Sequence, residues 1–513
     1  MTDFINQSYT LPNVFSYNEQ NRVKGILNPD GSEYTLPLPM GLNGLIYGDS
    51  ILMRDGLTAS GVTVAAVAGG DVTLTSAGNT SPIGERYRLY NQADKEVGST
   101  HAVVVQNTGA QVKLRFPFNV TGRVSASTQY VRDDALSDVG IANFARTLLA
   151  KQGRFIEYDN YAIGGATTTE LIEHLAYLPD LSDYQFVIEL SGINDITSTD
   201  DENDIIPNKE LIYNFFLDRG LTVIAGTVMP VMSGDARATP AKIAAIVALN
   251  DWIRKKVSSE PNMILWDAYA AVKDPATDYG LSGYLEASGV HPLVLGAEAL
   301  GAALVNDAGT VFPRNGVRRD TDGVNYGYDR PNIISENLVT NPEFAGSGGS
   351  TSGSTWVGSA PDNWVGLQTG GTSTITTSAR ADGLGNWLEL KKAATGANDT
   401  YFYQNVLPNL SVGKKYIVGA RIKTLVPNTG AYERFYLETT VNGVTRRHVA
   451  LFNYFSYANG GRPIAVGNEY EICSRPFELE IGMTAANLTL NINLGASGDL
   501  TTAISEPFIY EVA

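Results

Sequence analysis

The sequence predicts an α/β domain of three layers, interrupted by a small all-β subdomain and followed by an all-β jelly-roll sandwich. Three observations carry this. Between about Leu42 and Ala303, short apolar strands alternate with amphipathic helices, the order of a parallel sheet covered on both faces. Between about Leu57 and Arg132 that rhythm gives way to alternating, Gly- and Thr-rich pieces such as RYRLYNQ and HAVVVQN, which read as hairpins without helices. Beyond about Asn332 helical periodicity is lost, and about nine short strands follow one another between turn residues, as in antiparallel sandwiches. At 513 residues the chain is too long for one core.

The expected boundaries are an extended lead-in over 1–41, an α/β domain over 42–306 broken by the β insertion at 58–132, a linker over 307–331 and the sandwich over 332–513. Strands are expected at Gly44 to Tyr47, Arg154 to Tyr158, Gln185 to Leu190, Leu221 to Thr227 and Asn262 to Trp266. Helices are expected at Asp138 to Lys151, Thr167 to Leu178, Asn208 to Asp218 and Pro240 to Val257, with one more after Pro292. The Pro240 helix is the best signalled: Thr239 can cap it, proline fits the first helical position, and Ile243, Ile246, Val247 and Leu249 give it an apolar face. In the last region AGSGGSTSGST reads as linker.

Composition narrows the function. The chain holds 37 basic and 54 acidic residues, a net charge of -17, the wrong sign for a nucleic-acid partner. One cysteine, Cys473, allows neither an internal disulfide framework nor a cysteine-built metal site. No apolar run reaches the length of a membrane span, and the opening residues lack the basic and apolar regions of a secretion signal, so neither membrane insertion nor signal-directed export is expected. The acidic clusters at Asp200 to Asp204 and Asp320 to Gly323 miss the full calcium-loop pattern and read as solvated loops. No metal and no cofactor is expected.

The first strand runs into Gly48-Asp49-Ser50, which puts a hydroxyl at the carboxyl edge of the sheet, where α/β folds gather reactive groups. Alone, Gly-Asp-Ser is ordinary turn chemistry. The second strand leads through Asn160 into AIGGATT, and the third into Gly192-Ile193-Asn194-Asp195, so two further loops reach the same edge. There Gly165 offers an unhindered N–H and Asn194 an amide, donors suited to the oxyanion of an acyl-transfer transition state. Of four histidines, His101, His174 and His448 read as structural or solvated. His291 follows the last strand and precedes the closing helix, so it can return to Ser50 as a base. Asp49 and Asp195 read as support for tight loops.

Taken together these stretches resemble the blocks of the SGNH or GDSL hydrolases, whose three-layer fold is flavodoxin-like. Gly48-Asp49-Ser50 resembles the first block, Asn160 to Thr168 the second, Gly192 to Asp195 the third and Val290-His291-Pro292 the last. The resemblance implies a serine esterase with Ser50 as nucleophile, His291 as base and then acid, and an oxyanion hole from the Ser50 and Gly165 N–H groups and the Asn194 amide. Each such donor is worth about 3 kcal/mol in the transition state. The family's aspartate three residues before the histidine is here Ser288. Three readings follow: a carboxylate from elsewhere, Glu286 or Asp278 being the nearest upstream; a Ser–His dyad; or a degenerate site.

For the substrate, the flanking β modules point to sugar. NLVTNPEF and APDNWVG resemble the start of galactose-binding-like carbohydrate modules, in which Trp356, Trp364 and Tyr401 can offer stacking faces or fill the core. In the insertion Arg86 with Arg88, and Lys113 with Arg115, each share one strand face. Seven basic against four acidic residues between Ala59 and Arg132 make a local basic island, either a solvated face or a device that gathers an acidic glycan. The whole arrangement resembles bacteriophage tailspike or tail-fibre deacetylases. That resemblance implies a homotrimer on the virion, attached to other tail proteins, which removes O-acetyl groups from capsule or O-antigen polysaccharide at the host surface. The alternatives are a degenerate glycan-binding or structural tail module, and an intracellular esterase or thioesterase.

Overall fold

A computed structural model describes residues 14–17, 23–27, 42–53, 57–75, 86–90, 92, 94–125, 127–132, 140–151, 154, 156–182, 184–199, 201–287, 289–312, 317–318, 328–329, 333–381, 383, 385–392, 399–426, 432–454, 469–474, 476–493 and 500–512. The expected strands of the α/β domain form at Leu42–Gly48, Ile156–Asn160, Phe186–Leu190, Thr222–Gly226 and Met263–Trp266. They pair in parallel in the spatial order second, first, third, fourth, fifth. This flavodoxin-like order reverses direction between the first and third strands, and a crevice opens outside the carboxyl ends of such a pair. The strands are mostly apolar because both faces are covered: Leu45, Ile46, Val187, Ile188, Val223 and Ile224 are fully buried.

The covering helices are Ile141–Lys151, Thr168–His174, Ile206–Leu217, Pro240–Ser259 and Val294–Ala308. Thr167 closes a capping box with Glu170 at the start of the second, and Thr239 caps the fourth as its sequence predicts. The closing helix runs past the expected boundary at 306 to Ala308, and a short 3₁₀ turn, Gly309–Val311, follows it. Phe312 then packs edge-on against Phe186 at 5.1 Å and accepts a hydrogen bond from Arg154 on its carbonyl. The first part of the expected linker therefore belongs to the domain. Most of the rest of 307–331 lies outside the described residues, as does most of the 1–41 lead-in. Within that lead-in Val14–Tyr17 and Val23–Leu27 pair as an antiparallel hairpin.

The insertion closes on itself. Strands Leu57–Ala68, Asp71–Thr75, Arg86–Tyr90, His101–Asn107, Gln111–Arg115 and Ser127–Arg132 form a six-stranded barrel around Val72, Leu74, Tyr87, Leu89, Val104, Val112 and Leu114. Closure removes the exposed edges that separate hairpins would leave. It is not wholly without helix: Lys95–Ser99 forms one turn, capped by Asp94.

The C-terminal region is a large antiparallel β structure whose buried residues include Trp364, Leu388, Leu390, Phe402, Tyr416, Phe435 and Leu490. Its start is tied to its end, since Asn337 donates to Pro507 O and accepts from the Ile509 N–H. One expectation fails: the AGSGGSTSGST stretch is not linker. Ser350–Val357 is a strand in parallel register with Val365–Ala379. Gly- and Ser-rich composition lowers intrinsic strand preference, but an adjacent fifteen-residue strand supplies the hydrogen-bond partners that override it.

Candidate functional site

Ser50 opens a short helical turn directly after the first strand. Gly48 lets that turn lie close to the neighbouring strand: a Cβ there would fall 2.0 Å from Leu190 O, while the Asp49 N–H donates to this same carbonyl at 3.3 Å. Asn160, buried at the end of the second strand, donates to Leu52 O at 3.0 Å and accepts from Ala162 N–H at 2.9 Å, which locks the Ser50 turn to the AIGGATT loop. The nucleophile candidate thus sits at the topological switch point, held by the strands on either side.

Across 241 residues of sequence, His291 Nε2 lies 2.9 Å from Ser50 Oγ. Its other ring nitrogen, Nδ1, lies 3.4 Å from Glu286 Oε2. The His291 loop makes this geometry. Leu285 and Pro292 form an antiparallel bridge, and the Glu286 N–H donates to His291 O at 2.9 Å, so residues 286 and 291 face each other across a tight hairpin. Directly opposed residues of an antiparallel pair project to the same side. Met232 N–H bonds Gly289 O at 3.2 Å and anchors the hairpin to the loop after the fourth strand.

That same loop carries Asp235, paired with Arg237 at 2.7 Å and held below the usual carboxylate range by it and, more weakly, by the nearby His291. Of the two carboxylates expected from sequence, Glu286 reaches the imidazole. Asp278 lies instead 3.4 Å from Lys273 and takes the Tyr269 hydroxyl. Ser288, in the family's aspartate slot, lies outside the described residues.

Gly165 occupies an exposed turn at φ +77°, a conformation that suits glycine. The Asn194 amide donates to Ala166 O at 3.0 Å, which joins the second and third loops and fixes the amide plane. Its remaining N–H can serve an incoming oxygen. Asp195 acts as support: its buried carboxylate takes the backbone and side-chain donors of Thr168, the first residue of the second helix.

Sequence reasoning missed a buried charge group beneath this edge. Glu189, inside the otherwise apolar strand FVIEL, pairs with Lys209 at 2.5 Å, and both side chains are 0% exposed. Ser191 donates to Glu189, Lys209 also donates to Ser191 O at 3.3 Å, and Asp49 lies within electrostatic range of both charges. A glutamate in the middle of a fully buried strand is the signal that could have found it, since such a charge requires a partner.

The expected glycan contacts divide. Arg86 and Arg88 do share a face, and Tyr87 and Leu89 point into the barrel, but that face docks on the α/β domain. Arg86 forks onto Asp159, which also takes the Tyr184 hydroxyl, and Arg88, 1% exposed, donates to Ala162 O. Arg88 is thus a buried seam residue and no glycan contact, while Arg86, its side chain 34% exposed, has its charge paired with Asp159. Lys95 pairs with Glu173, Arg123 with Asp94 and Glu96, and Arg115 with Asp71 at 2.8 Å, so the basic island is largely neutralised. Trp364, 1% exposed, stacks on Phe402 at 5.2 Å and belongs to the core. Alternation identifies a face but not what covers it. Lys113, Trp356 and Tyr401 are partly exposed, Trp356 donating to Ser352 O and Tyr401 to Asp399.

Fold and site together define an α/β domain with a hydroxyl, an imidazole and a carboxylate in line at its switch point. Residues 126–299 match the GDSL-like lipase/acylhydrolase family. The chain therefore carries a GDSL-like lipase/acylhydrolase domain, and the matched stretch, which begins within the last part of the insertion, includes Gly165, Asn194 and His291 but not Ser50. Among solved structures, the lipase/acylhydrolase of Enterococcus faecalis is 23% identical over 32% of this chain and 83% of its own, with a TM-score of 0.27. The enzymatically active domain of bacteriophage CBA120 tailspike protein 4 is 16% identical over 29% of this chain and 20% of its own (TM-score 0.21). The C-terminal family 22 carbohydrate-binding module of Clostridium thermocellum Xyn10B is 10% identical over 30% and 87% (TM-score 0.22). No curated protein matches the chain.

Proposed function

We propose that the protein is a serine esterase that removes O-acetyl groups from a bacterial surface polysaccharide, carried as a homotrimer on a phage tail. The observation that carries the esterase reading is the line Ser50 Oγ, His291, Glu286, with contacts of 2.9 and 3.4 Å. In this reading Ser50 Oγ attacks the acetyl carbon as its proton passes to His291 Nε2. The oxyanion is held by the Ser50 and Gly165 N–H groups and the Asn194 amide. Collapse breaks the ester C–O bond, and His291 returns the proton to the leaving sugar hydroxyl. Water, deprotonated by His291, then frees acetate and restores Ser50.

The polysaccharide reading is supported by the β barrel lodged beside the site and the β-rich C-terminal region, with Lys113, Trp356 and Tyr401 as the partly exposed candidate contacts. Acetate released from a purified O-acetylated bacterial polysaccharide, and none with Ser50→Ala, is the expected result. Turnover of small acyl esters without release from any glycan would leave an esterase of other substrates. Sedimentation at the mass of one chain would remove the trimer.

Glu286 takes the role that Ser288 cannot, and this favours an active site over a degenerate one. Its contact is long and its side chain 35% exposed. Glu286→Gln should therefore lower kcat by less than the roughly 10⁴-fold that loss of a buried triad acid costs. Steady-state kinetics on an activated acetyl ester check this, and an unchanged kcat would leave a Ser–His dyad.

A further inference from the structure

We propose that Asp49, the residue before Ser50, works as a neutral carboxylic acid: a positioning residue whose uncharged state keeps negative charge away from the oxyanion formed at Ser50. This rests on the esterase reading above. The Asp49 side chain is 0% exposed. Its Oδ1 accepts the Ile51 N–H at 3.0 Å, while Oδ2 is buried with no hydrogen-bond partner among the described residues. The charged groups that face it are Glu189 on the third strand, Asp195 on the following 3₁₀ turn and Lys209 on the third helix. Lys209 is already committed to Glu189 at 2.5 Å and to Ser191, and Asp195 to Thr168.

An ionised Asp49 would be a third carboxylate around a single ammonium, with one oxygen unpaired among the described residues, and an unpaired buried charge costs far more than an unpaired hydroxyl. As the acid, one oxygen still accepts from Ile51 and the other carries the proton. In agreement, burial, reinforced by Glu189, pushes its carboxyl up to about 7. A negative charge one residue from the nucleophile would oppose the charge that develops on the acyl oxygen, where preorganised dipoles must instead favour it. Deprotonation of Asp49 should therefore slow the reaction above neutrality, just where an imidazole base is fully competent.

The test is the pH dependence of kcat on 4-nitrophenyl acetate for the full chain and Asp49→Asn, corrected for spontaneous hydrolysis, beside their thermal midpoints over the same range. The wild type should lose rate from pH 7 to 9, and the ratio of kcat at pH 9 to that at pH 7 should be at least five-fold higher in Asp49→Asn. Its folded acid binds a proton that the unfolded chain has lost, so wild-type stability should fall from pH 5 to 8 relative to Asp49→Asn. Parallel pH profiles in both rate and midpoint would overturn the proposal. If no variant hydrolyses any ester, the esterase reading fails while the stability comparison still reports the charge on Asp49. Should Asp49→Asn not fold, carboxyl ¹³C shifts in aspartate-labelled wild type decide. A resonance correlated to the Ser50 amide and still protonated at pH 6 supports the neutral acid, and one ionised by pH 5 overturns it.

Discussion

Ser50→Ala and His291→Ala, made singly, should each lower kcat on an activated acetyl ester by about 10⁴- to 10⁶-fold, and the double substitution should cost little more than either alone. The reason is that the two side chains act in one step: without the hydroxyl there is no nucleophile for the imidazole to activate, and without the imidazole the hydroxyl keeps its proton. Their 2.9 Å contact is what makes the effects non-additive. Neither change should disturb the fold, because both side chains are partly exposed at the carboxyl edge of the sheet and contribute nothing to its core. Unaltered thermal midpoints with lost turnover would be the signature. Retention of more than about a hundredth of the rate by Ser50→Ala would mean that the hydroxyl is not the attacking group, against the magnitude set by nucleophile removal.

Much of this site is legible in the sequence because strand ends are. Short, mostly apolar runs such as FVIEL read as buried strands, and the loops that follow parallel strands open on one edge, so the loops carrying Ser50, Gly165 and Asn194 share that edge by topology before any side chain is considered. The carboxylate partner of His291 is not legible in the same way. Glu286 and Asp278 differ by only eight positions, and what separates them is a pair of hairpins: the Leu285–Pro292 bridge turns Glu286 toward the imidazole, while the Lys273–Gly280 bridge turns Asp278 toward Lys273. Packing between domains is equally hidden. The spacing of Arg86 and Arg88 gives their common face correctly, yet only the docked barrel decides that this face meets Asp159 and Ala162 rather than solvent. In sequence Trp364 is open to both readings for the same reason, and its stacking on Phe402 assigns it to the core.

The buried Glu189–Lys209 pair predicts the largest effect on stability. Lys209→Met should destabilise the α/β domain by about 3–5 kcal/mol, because it leaves Glu189 fully buried with its countercharge gone. At the scale of a domain of this size that is a fall in thermal midpoint of roughly 10 °C. Ser191 alone cannot replace the ammonium, since a hydroxyl donates one hydrogen bond and carries no charge. The double substitution Glu189→Leu with Lys209→Met should recover most of the loss, as exchange of a whole buried ion pair for apolar side chains costs little or nothing. The two variants separate stability from chemistry. Both lack the ammonium near Asp49, but only the single one keeps the neighbouring carboxylate, which would hold Asp49 still more firmly protonated. If the double variant is stable, any turnover it loses reports the electrostatic setting of the Ser50 edge and not the integrity of the sheet. A Lys209→Met protein as stable as the wild type would show that the pair adds no net stabilisation as an ion pair.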